Sequence, residues 1–267
     1  MTARTLQVNG LAFHCRIEGR EGAPWMVWSN SLLTDTGLWA AQVAAFGDRF
    51  RLLRYDQRGH GGTQVPSATT NFDELISDLA GLMGQLGIEG ALVGGCSMGA
   101  ATALGLAARH PALCAAVIAS DGQAGTAPGG AQSWQERMDF ARANGMAKHA
   151  EATLQRWFAP ASIAEGNPAI PAVREMILST PFDGFIACAT ALQSYDLRAE
   201  IAGIRQPALL IAGAQDGAMP QTMRGIAAGM PDARYVEIPE AGHLPCIERP
   251  GAFNAAVEAF LKQVAVF

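Results

Sequence analysis

The 267-residue sequence predicts an α/β protein, a mostly parallel sheet with helices on both faces and an inserted helical cap. Three observations carry this. Short apolar runs alternate with helical periodicity up to residue 121 and again after residue 196. Between them, residues 122–195 keep a helical pattern with no strand. Residues 90–108 contain no charge, but they hold five glycines with Ser97 and Thr102, and their pattern changes midway. That stretch has membrane-span length, yet a buried strand running into a buried helix explains it better. The division expected is 1–121 and 196–267 as two parts of one core, with 122–195 as the cap.

Each element follows from local pattern. Leu6-Gln7-Val8 and Leu11-Ala12-Phe13 flank Asn9-Gly10, a pair suited to the positive φ angles of a type I′ turn, so the sheet opens antiparallel. Trp25-Met26-Val27-Trp28 and Arg51-Leu52-Leu53-Arg54-Tyr55 read as strands around a helix near residues 38–46. Asn71 and Glu74 form a capping box, after which Phe72, Leu75, Ile76, Leu79, Leu82, Met83 and Leu86 share one helical face. Residues 91–95 form a strand, 98–109 a helix stopped before Pro111, and 115–119 another strand. In the insertion, residues 134–158 suggest two helices, followed by others near 172–178 and 184–193. Strands at 208–211 and 234–238 and an amphipathic helix from 252 to about 264 complete the order.

Composition removes several function classes. At 49% hydrophobic and 16% charged, the chain is too apolar for disorder. A chain this long buries roughly three quarters of its unfolded surface, so it needs no metal or disulfide to hold a core. Its 19 Lys+Arg against 24 Asp+Glu, net −5 with no basic run, disfavour nucleic acid or an anionic membrane as partner. Five cysteines without a C-x-x-C pair and five scattered histidines give no disulfide framework and no metal site. No cofactor is expected, and the start, Met1-Thr2-Ala3-Arg4-Thr5, lacks a signal-peptide pattern, so the expected location is cytoplasmic.

Gly95-Cys96-Ser97-Met98-Gly99 matches G-x-S-x-G where a strand must reverse into a helix, which is a nucleophile elbow. Serine needs a base to attack carbon. His243, in Gly242-His243-Leu244, follows the last strand and suits that role better than His14, His60, His110 or His149. The base needs a carboxylate to fix its tautomer. Asp216, just after the 208–211 strand, gives the chain order serine, acid, histidine. Asp121, ending the preceding strand, competes for that role, while Asp56 reads as a turn-stabilising partner of Arg58. Oxyanion donors are expected from the backbone N–H of Met98 and from Ser29-Asn30-Ser31-Leu32-Leu33, with Leu32 favoured over Ser31.

These segments resemble the α/β-hydrolase fold and, within it, the bacterial 3-oxoadipate enol-lactonases of aromatic catabolism. The general features are Tyr55-Asp56-Gln57-Arg58-Gly59-His60-Gly61, the Ser97 elbow, Gly213-Ala214-Gln215-Asp216, and Gly242-His243 followed by Glu248-Arg249-Pro250. More particular are Ser29-Asn30-Ser31-Leu32, Gln155-Arg156-Trp157-Phe158 and Asp196-Leu197-Arg198. The resemblance implies a serine hydrolase that opens a small carboxylated lactone through an acyl-enzyme. A substrate carboxylate needs a cation, and the cap offers Arg137 at helical spacing from Trp134, which could wall the pocket. A cap-packing tryptophan and a solvated arginine are the alternative reading. Leu33, Cys96 and Ala100 depart from the usual residues, and Leu33 is expected to narrow or reshape the pocket. A general carboxylesterase or perhydrolase, or a carbon–carbon bond hydrolase of a ring-cleavage product, would use the same machinery. Aspartate-nucleophile chemistry is disfavoured by serine at position 97.

Overall fold

A computed structural model describes residues 2–264. Strands β1 (Thr2–Val8) and β2 (Leu11–Gly19) form the expected hairpin, with Asn9 and Gly10 at φ 48° and 79°. Then come β3 (Trp25–Ser29), helix α1 (Ala40–Phe46), β4 (Arg51–Tyr55), α2 (Phe72–Gln85) and β5 (Ala91–Cys96). The core continues through α3 (Met98–Arg109) and β6 (Cys114–Ser120). The eight strands form one sheet in the order β1-β2-β4-β3-β5-β6-β7-β8, where β7 is Ala208–Gly213 and β8 is Ala233–Ile238. β1 and β4 each pair antiparallel with β2, and every later pairing is parallel. The parallel strands β5, β6 and β7 are apolar nearly throughout because helices cover both their faces.

Between β6 and β7 the chain is helical, as its pattern predicts: α4 (Gly130–Trp157), α5 (Pro160–Glu165), α6 (Ala169–Ser179), α7 (Phe182–Gln193) and α8 (Arg198–Ile201). Gly145, at φ 79° and ψ 163°, breaks α4 into the two helices its pattern implies. After β7 come α9 (Met219–Ala228), α10 (Pro245–Glu248) and α11 (Pro250–Leu261). The short α5, α8 and α10 carry too little apolar periodicity to be read locally, whereas α9 does carry one, with Met219, Met223, Ile226 and Ala227 on one face. Asn71 and Glu74 close the capping box on α2 with bonds of 2.9 and 3.1 Å. Trp28 and Trp39 stack at 4.3 Å beneath Phe253, closing the core under β3. Among the described residues, no helix is long and apolar enough to cross a membrane.

One expected pairing is different. Arg58 binds Asp78 on α2 through two bonds of 2.7 and 2.8 Å, with Glu74 as a further partner at 2.9 Å. Asp56 instead accepts from the N–H groups of Thr36 and Gly62 and pairs with His14. Asp56 thus does hold the turn, but the forked guanidinium reaches a carboxylate whose two oxygens it can match.

Candidate active site

Ser97 stands between β5 and α3 at φ 57° and ψ −115°, a conformation that costs a non-glycine residue energy and is held by its surroundings. A Cβ on Gly95 would collide with the carbonyl of Gly99, and one on Gly99 with the carbonyl of Ser29. The two motif glycines therefore let the turn close against its own helix and against β3. Ser97 opens onto a cavity of about 260 Å³ that is also lined by Leu32, Asp216 and His243.

The structure brings Ser97, Asp216 and His243 together from the ends of β5, β7 and β8. His243 Nδ1 lies 2.7 Å from Asp216 Oδ2, which leaves Nε2 for the cavity. No hydrogen bond joins Ser97 to His243 among the described residues; such contacts commonly tighten only on substrate binding. Burial pushes Asp216 up, but the neighbouring His243, through its charge and its bond, outweighs this, with the Asp121 carboxyl adding to it. The Asp216 carboxyl consequently stays below the ordinary carboxylate range.

Asp121 lies close by without making the histidine bond. Its two oxygens accept from the Gly213 N–H at 2.8 Å and the Ser120 hydroxyl at 2.6 Å. Burial, then the charge of Asp216, push its carboxyl well above the ordinary range. One ligand atom each from Asp121, Asp216 and His243 falls within a 4.8 Å cluster, a possible cation-binding set. Those groups are already committed to one another, to Ser120 and to Gly213.

The backbone N–H of Met98 opens α3, where no intrahelical acceptor exists. Neither it nor the N–H of Leu32 has an acceptor among the described residues. Leu33 is different from expectation: its side chain packs into the core at 2% exposure instead of lining the cavity. Its backbone adopts φ 63°, the left-handed region that favours glycine.

The helical insertion supplies the cavity's other wall. Trp134 and Arg137 both line it, with the guanidinium 4.4 Å above the indole ring. Three residues without an assigned role in the sequence also matter. Arg156 lines the cavity, and the Trp157 ring stacks on His243 at 5.6 Å while its carbonyl accepts the His243 N–H at 2.7 Å. Buried Glu248 accepts from the N–H groups of Gly242 and Ala159, tying the histidine loop to the end of α4. A signal for the arginines was present: neither Arg137 nor Arg156 has an acidic residue three or four positions away, whereas Arg142 has Asp139.

Residues 24–250 match the family model of the alpha/beta hydrolase fold. The chain is 33% identical to 3-oxoadipate enol-lactonase 2 of Acinetobacter baylyi over 264 residues, covering 97% of this chain and 96% of that protein. The enol-lactonase of Burkholderia xenovorans LB400 superposes with a TM-score of 0.91 at 39% identity, over 97% of this chain and 100% of that one. A thermophilic esterase of Thermogutta terrifontis, solved with malate bound, gives 0.90 at 26% identity over 99% of both chains. With the strained serine at the strand end and the His–Asp pair beside it, these similarities establish that the chain belongs to the α/β-hydrolase family, among the relatives of bacterial 3-oxoadipate enol-lactonase.

Proposed function

We propose that this enzyme, a carboxylic ester or lactone hydrolase, opens a small carboxylated lactone of the 3-oxoadipate enol-lactone type by way of a Ser97 acyl-enzyme. One observation carries the assignment: the elbow serine, the His243–Asp216 pair and a guanidinium over an indole face one small cavity. His243 Nε2 takes the Ser97 proton as Oγ attacks the ring carbonyl, while Asp216 steadies the imidazolium. The N–H groups of Leu32 and Met98 receive the oxyanion, each donor of this kind being worth about 2.7–4 kcal/mol. Collapse breaks the ring C–O bond, and His243 protonates the departing enolate, which becomes a ketone. Water, activated by the same histidine, then releases the acid. Arg137 holds the substrate carboxylate, with Trp134 fixing the guanidinium plane.

Ser97→Ala is expected to lower kcat by roughly 10⁴–10⁶-fold in a protein with an unchanged circular-dichroism spectrum; undiminished turnover would remove the serine mechanism. Substrate class is tested by comparing the enol-lactone, short p-nitrophenyl esters and a ring-cleavage dienoate. The lactone should give the highest kcat/KM, and a short ester hydrolysed equally well would defeat the lactonase assignment. The second reading, a general carboxylesterase, rests on the likeness to the Thermogutta esterase.

A further inference from the structure

Two guanidinium groups line the cavity, and neither has a carboxylate partner among the described residues. The contrast lies within the same insertion, where Arg142 pairs with Asp139 and Arg174 with Glu151. Arg137 is half-buried over Trp134, and Arg156 is more exposed. Burial, reinforced by the charge of Arg156, pushes the Arg137 pKa down to about 10. Burial alone pushes Arg156 down. Arg137 thus senses the charge of Arg156, and neither is paired with a carboxylate among the described residues.

The acids in reach are already occupied. Asp216 is bonded to His243, and Asp121 is bonded through both oxygens to Ser120 and Gly213. His149, packed against Phe185, is pushed down to about 4 by burial and then by Arg156 and Arg137, so it is neutral. Two unpaired like charges facing one cavity cost stability, and an incoming anion removes that cost. One carboxylate satisfies one guanidinium fork, which leaves the second cation for a second anionic group.

We propose that Arg137 and Arg156 form a dianion subsite, so that the dicarboxylate released when a carboxylated lactone opens binds more tightly than a monoanion of the same length. The proposal rests on the lactone-opening function above. Its charge balance follows from the reaction. The lactone enters with one negative charge; water adds across the acyl C–O bond, the leaving oxygen takes one proton, and the new acid loses another to solvent. The product therefore carries two charges. Arg137 takes the carboxylate the substrate brought, and Arg156 favours the charge that hydrolysis adds, making product release a step the pocket resists.

The test uses full-length Ser97→Ala protein and calorimetric titration with adipate and monomethyl adipate, which match in length and differ by one charge. Adipate is expected to bind about tenfold tighter or more, the effect of one charge-assisted contact. Arg156→Gln should reduce adipate to the level of the monoester and leave the monoester's affinity in place; Arg156→Lys should restore part of the preference. Thermal melts of both variants report their folding. Equal binding of adipate and monoester by the Arg156-containing protein would overturn the proposal. So would an equal loss for both ligands in Arg156→Gln, which would mean that both arginines grip one carboxylate. Because these titrations need no turnover, a failure of lactone hydrolysis in the unmodified enzyme is read separately.

Discussion

At the scale of single residues, two aspartates compete for one histidine, and position in the sheet decides between them. Asp216 extends from β7 to within 2.7 Å of His243, while Asp121 is consumed by Gly213 and Ser120 at the edge of β6. Asp216→Asn should lower kcat by roughly 10⁴-fold through loss of the correct tautomer. Asp121→Asn, whose amide oxygen can keep one of the two accepted bonds, should keep kcat/KM within about tenfold, the scale of one hydrogen bond. Steady-state kinetics of the pair check this; a larger loss in Asp121→Asn would make Asp121 the working acid. Both candidates were legible in the sequence because each follows an apolar strand. Leu33 was legible only as a bulky neighbour of the oxyanion loop. That its side chain turns into the core while its backbone adopts φ 63° depends on the path of the chain between β3 and α1.

At the scale of elements, the elbow is the part that local pattern reads best. Strand, G-x-S-x-G and helix follow one another, and each glycine has a steric reason in the packing. Gly99→Ala places a methyl group against the carbonyl of Ser29, so β3 and α3 would have to separate. The expected cost is about 1–3 kcal/mol, as for other overpacked sites, read as a lower urea midpoint together with reduced kcat, since Met98 opens α3 and Leu32 lies in the loop that follows β3. An unchanged midpoint would show that the turn can relax. The capping box of α2 was equally legible because its two side chains act within four residues. By contrast, Arg58 looked like a partner for nearby Asp56, and only the packing of α2 against the turn brings Asp78 to it.

At the scale of the molecule, the insertion closes onto the His243 loop. Trp157 covers His243, and Glu248 joins the loop to the end of α4. The same insertion buries His149 at 2% exposure. Its pKa falls from 6.5 to about 4, chiefly through burial and then through the charges of Arg156 and Arg137. Between those values the unfolded chain binds a proton that the folded protein refuses. The contribution is whole above pH 6.5 and is lost as pH falls toward 4. Denaturant midpoints should therefore decline across that window, and His149→Gln should flatten the decline. An unaltered slope in the variant would assign the acid sensitivity to other groups.

The sequence by itself determined the alternation of strands and helices, the helical insertion, and the serine, acid and histidine in order at three strand ends. Those features depend on apolar period, turn chemistry and chain order, which neighbouring residues encode. Only the tertiary structure decided which acid meets the histidine, where Leu33 points, and that Arg156 joins Arg137 in one cavity with neither paired to a carboxylate among the described residues. These are contacts between residues far apart in the chain, and their energies depend on burial and on surrounding charge. In this protein the first kind of information marks where chemistry can occur, and the second assigns the charges that decide what the cavity holds.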